Sequence, residues 1–92
     1  MPRAAKRTPE FTEVVEDADT FVRWVAHQIE HWQYTVYDLD VSSLSVLLRR
    51  PGLYRCPYVV VQFTPEDPTG RRIWEEFENL TLASEFIRSL AS

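Results

Sequence analysis

Two histidines stand four residues apart in the stretch WVAHQIEHWQ, residues 24–33, with a glutamate directly before the second. His27, Glu30 and His31 therefore read H-x-x-E-H. On a helix, residues four apart share a face, so the two imidazoles could grip one metal ion. The glutamate could then act as base on a metal-bound water. Such a centre needs a third protein ligand, and Glu75, Glu76 or Glu78 could supply one. If 71–77 is a strand, Glu75 shares the parity of Ile73 and Phe77, and Glu76 that of Trp74. Neither is plainly aimed at His27.

The five letters are those of the inverted zinc peptidases, and the match stops there. The surrounding helix also turns the histidines away from a core. Phe21, Val25, Ile29 and Trp32 recur at spacings of four, four and three. With Phe21 at 0° on a wheel, this stripe centres near 30°, whereas His27 falls at about 240°, His31 at about 280° and Glu30 at about 180°. The expectation is two solvent-flanking histidines beside Trp24, with no metal and no cofactor. They could still titrate and make the surface sensitive to pH.

Other chemistry is thinner. Asp38 and Asp40 share one side of a strand, but paired carboxylates need a cleft to work in. No serine sits in a G-x-S-x-G elbow. Cys56, the only cysteine, precedes a proline and has no base placed beside it. Arg49, Arg50 and Arg55 gather at one end of a meander and Arg71 and Arg72 at the other, so they do not line one groove. A helix over 42–50 would convert this region into a winged-helix nucleic-acid binder, with Arg49, Arg50 and Arg55 as contacts. The preceding QYTVYDLD is a poor helix for that purpose.

The elements that must carry these residues follow from periodicity. Residues 19–33 read as a helix, with acids at its start and Asp19 as a candidate cap. YTVYDLD (34–40), SLSVLLR (43–49), PYVVVQF (57–63) and RRIWEEF (71–77) alternate or run in β-branched residues and read as strands. For 43–49 the helix is the rival, since Leu44, Leu47 and Leu48 also have helical spacing. The last element is a helix from Thr81 to Leu90, capped by Asn79 or Thr81, with Ala83, Phe86, Ile87 and Leu90 on one face. The order α-β-β-β-β-α with short links gives an α+β fold: a two-layer sandwich, a four-stranded antiparallel meander with the N- and C-terminal helices on one face.

The chain has 92 residues, enough for one core. Residues 1–9 hold two prolines and three basic residues, and read as a disordered basic arm before an α+β domain spanning 10–92. That domain carries net charge −7, which repels a phosphate backbone and argues against nucleic acid. No apolar run reaches the roughly 20 residues of a membrane helix, and a single cysteine fits a reducing, cytoplasmic setting.

In this arrangement Leu44, Val46, Leu48, Val59, Val61, Phe63, Ile73 and Phe77 face the helices. The opposite side carries Leu47, Tyr58, Val60, Gln62 and Trp74. A patch of Tyr and Trp with apolar neighbours and charged surroundings has the composition of an interface centre. The expected function is thus a small non-enzymatic binding protein acting through this open sheet face, on a protein partner or a second copy of itself. The winged-helix binder and a metal-dependent hydrolase using His27, Glu30 and His31 are the alternatives.

Overall fold

The computed structural model describes residues 11–66 and 72–91. The expected arm, residues 1–9, lies outside them. The elements come in the order α1 (Ala18–Trp32), β1 (Thr35–Asp40), β2 (Ser45–Arg49), β3 (Tyr58–Phe63), β4 (Arg72–Phe77) and α2 (Leu80–Ala91). The four strands form one antiparallel sheet in sequential order, so the fold is the α+β meander flanked by terminal helices. Residues 45–49 are a strand, which removes the helix that a winged-helix reading requires.

Local chemistry sets the ends of the elements. Asp17, rather than Asp19, caps α1: its carboxylate accepts from the Thr20 backbone N–H at 2.9 Å and from the Thr20 hydroxyl. Gln33 ends α1 in the left-handed conformation, φ 57°, and the Tyr34 N–H reaches back to the Gln28 carbonyl at 3.3 Å. Asn79 caps α2 through a 2.9 Å bond from the Leu82 N–H. Between β1 and β2, the Asp40 carboxylate takes the Ser42 N–H at 3.0 Å and hydroxyl at 2.7 Å, closing the turn. A bulge at Tyr37 lets β1 slip one residue against β2, so that Val36 opposes Leu48 and Asp38 opposes Leu47.

The placement of the helices differs from the expectation. Side chains alternate along each strand, and directly opposed residues share a side. Val46 opposes Val61 and Leu48 opposes Val59, and these four pack with Phe21, Trp24 and Val25 of α1. Leu47 opposes Val60, and this pair packs with Ala83 and Ile87 of α2. The helices therefore cover opposite faces instead of one. The consecutive buried run 45–48 is the signature: a strand buried on both sides has no polar side to alternate with.

β4 is also turned over relative to the expectation. Trp74 opposes Val61 and lies on the α1 side, while Ile73 opposes Gln62 and Phe77 opposes Tyr58 on the α2 side. A one-residue change of register exchanges every side chain between faces. Along α1 the buried arc is rotated by roughly a fifth of a turn toward the histidines. Trp24 is 7% exposed and Val25 is buried, whereas Ile29 and Trp32 are 47% and 45% exposed. Trp24 presents more apolar area than Ile29, so the helix seats the indole first, its ring meeting Phe63 edge-on at 4.9 Å.

Candidate functional site

The rotation of α1 and the turning of β4 together open a groove of about 380 Å³ between them. Trp24, His27, Gln28 and Trp32 of α1 line one wall, Arg72 and Trp74 of β4 the other, and Phe11 and Tyr34 close the ends. All three tryptophans of the chain are in it. Trp24 is buried, while Trp32 and Trp74 stand half open at the lip.

Polar groups are few and placed. The Arg72 guanidinium lies over the Trp74 ring at 5.6 Å and the Phe63 ring at 5.9 Å. Among the described residues, no carboxylate lies within ion-pair distance of it. The His27 ring meets Phe11 edge-on at 5.6 Å, and its Nδ1 faces the Gln28 amide at 3.4 Å. Its Nε2 is buried without a hydrogen-bond partner. A buried ring nitrogen without a partner forfeits its solvation, and a ligand group that reached it would recover that loss. Trp74 is held from behind: its indole N–H donates to Glu76 Oε2 at 3.2 Å, and Glu76 Oε1 lies 3.3 Å from Arg50.

Arg50 is the anchor of this corner. Its guanidinium donates to the Cys56 carbonyl at 2.6 Å and stacks 4.1 Å from the Tyr54 ring, tying the 50–57 loop to β4 through Glu76. Burial pushes the nearby Tyr34 phenol upward, with the Arg50 charge acting against that rise. A neutral Tyr34 hydroxyl is the result across the physiological range.

The expected site residues fall in different places. Leu47 is 1% and Val60 0% exposed, beneath α2, so they do not form an open face. Tyr58 is half-buried at the margin of the α2 cluster, with Tyr37 edge-on at 5.7 Å and Arg49 over its ring at 5.8 Å. Gln62 is occupied locally, its amide donating to the Ser43 carbonyl at 3.2 Å. Trp74, 37% exposed, is apart from these on the other face. Arg49 and Arg50 diverge to opposite faces, Arg49 to Tyr58 and Arg50 to Glu76, and Arg55 is exposed on the loop between them.

His27 and His31 do meet, with ring centroids 4.6 Å apart. His31 Nε2 lies 3.8 Å from Glu30, its own neighbour. Among the described residues, no group of three or more His, Cys, Asp or Glu is placed to hold a metal ion. The groove residues that sequence reasoning passed over are Phe11, Gln28, Trp32 and Tyr34. The signal available was the density of aromatic residues in 24–34 together with Trp74.

The fold and the groove define an α+β domain with an aromatic-lined groove between α1 and β4. Compared with protein-family models, curated proteins and solved structures, the chain matches none. Among the described residues, no helix is long and apolar enough to cross a membrane.

Proposed function

We propose that this chain is a non-enzymatic binding protein that takes a side chain of a partner protein into the groove between α1 and β4. The observation that carries the reading is the lining itself: Trp32 and Trp74 open at the lip, Trp24 beneath, and an Arg72 guanidinium with no carboxylate partner among the described residues. Binding energy at protein interfaces concentrates in such Trp, Tyr and Arg clusters. The expected open sheet face is replaced by this cleft, and of the residues first assigned to that face Trp74 alone remains at the contact surface. The acidic balance of residues 10–92 supports a protein partner over nucleic acid.

The test uses the three indoles as reporters, since all lie in the groove. Peptides selected from a displayed library on the native protein are titrated in, and the indole N–H signals are followed by NMR. Movement of the Trp32 and Trp74 signals, and weakening of roughly tenfold or more in Trp32→Ser, are expected. Selected peptides that bind without moving either signal would overturn the reading.

A further inference from the structure

β4 is an edge strand, and among the described residues nothing pairs with its outer side. Both helices centre on β2 and β3, α1 over Val46, Leu48, Val59 and Val61 and α2 over Leu47 and Val60, and α2 also reaches the end of β4, where Phe86 meets Phe77 at 5.3 Å. The outer backbone edge of β4 has no strand beside it among the described residues, and a further strand would lie about 4.8 Å away. Its side chains favour one occupant. We infer that a second copy of this chain pairs with β4 through its own β4, antiparallel, about a two-fold axis at Trp74.

Symmetry limits the choices. A two-fold axis normal to the sheet opposes residues of like parity, so it passes through one residue of the strand. An axis through Glu75 sets two carboxylates face to face, which is unfavourable. An axis through Ile73 leaves three residues of β4, 72–74, in the pairing. An axis through Trp74 pairs residues 72–76, with Trp74 against Trp74 of the second copy and Ile73 against Glu75. It also opposes Arg72 to Glu76 of the second copy, twice by symmetry, on the same face as the indoles. Directly opposed positions bring side chains within about 5 Å, close enough for an ion pair.

Arg72 is exposed and lacks a carboxylate neighbour among the described residues. The Glu76 side chain is 43% exposed and already holds the Trp74 indole N–H and Arg50, so in the pairing its carboxylate is shared between Arg50 and Arg72 of the second copy. The other edge strand does not offer the same match. β1 carries Asp38 and Asp40 and no basic residue, and it is broken by the bulge at Tyr37, so self-pairing there opposes an acid with an acid or with Val36 and never with a base. In the β4 pairing the two sheets join into one of eight strands, and the Trp74 of each copy lies beside the groove of the other.

Sedimentation equilibrium on the full chain tests this. A dimer is expected, with Arg72→Glu and Glu76→Arg each weakening it at least roughly tenfold and the double exchange R72E/E76R restoring it. Glu76→Arg also meets Arg50, so circular dichroism is recorded for each variant. If that variant fails to fold, Trp74→Cys in a Cys56→Ser background replaces it, and a disulfide-linked dimer on mild oxidation is the expected product. A native protein that stays monomeric at its highest workable concentration overturns the inference, as does a dimer unaffected by Arg72→Glu. Arg72 and Trp74 line both the groove and the pairing edge, so groove binding is read from the Trp32 indole in Glu76→Arg as well as in the native protein: a lost dimer with groove binding kept, or the reverse, separates the two readings.

Discussion

Val60 stands directly opposite Leu47 across the β2–β3 pair, and α2 closes over both with Ala83 and Ile87. Neither side chain has a route to solvent. Replacing Leu47 by Ala therefore leaves a cavity between sheet and helix and should lower stability by about 2–5 kcal/mol. Urea unfolding followed by circular dichroism checks this. A loss below about 0.5 kcal/mol, the size of a typical surface change, would mean that α2 does not seat there.

Arg50 should matter more to stability than its place beside a loop suggests. Its contacts with the Cys56 carbonyl, Glu76 and the Tyr54 ring are its own, and its side chain is 15% exposed. Arg50→Ala should cost about 1–3 kcal/mol and speed hydrogen exchange of the 50–57 amides. Arg50→Lys should recover little, because an ammonium cannot stack on Tyr54 and bond two acceptors in one plane.

The start of α1 should be sensitive to acid. The Asp17 carboxyl is held below its ordinary value of 3.8, first by the Thr20 hydroxyl and then by the Thr20 N–H. Asp40 and Glu13 are lowered in the same sense, by Ser42 and by Arg23. A carboxyl lowered by folding contributes stability that is full above its unfolded value. That stability is lost as pH falls through the folded value. The native protein should therefore lose thermal stability below about pH 4. Asp17→Asn, which keeps an acceptor for Thr20 without the charge, should lose less over the same range, and Asp17→Ala should melt a few degrees lower even at neutral pH. Melting curves from neutral pH to about pH 3 make the comparison. Equal acid losses in native and Asp17→Asn protein would remove Asp17 from the account.

Much of the fold was legible. The valines of 59–61, the turn formers around them and the two amphipathic ends were enough for six elements in the right order with boundaries off by one or two residues. Segment 43–49, whose leucines also fit helical spacing, forms a strand over Ser45–Arg49. The site was not legible in the same way. Ile29 and Trp32 fit the helical stripe as well as any residue, yet they face outward, because the burial of Trp24 against Phe63 decides the rotation of α1. The histidines, placed toward water by the wheel, are carried by that rotation to half-buried positions, His27 against Phe11 and His31 against His27.

Local periodicity assigns which segments are helix or strand, and short connections make the strands a meander, so both can be read from the order of residues alone. Which face each helix covers was decided only in three dimensions. Leu47 and Val60 are apolar on the side first taken as open, and an apolar residue reads the same whether a partner or its own helix lies over it. The face that Trp74 occupies depends on the β3–β4 register, and a one-residue shift there changes no local preference while moving every side chain across the sheet. The groove exists because two such choices, the roll of α1 and the register of β4, fall on the same side of the sheet.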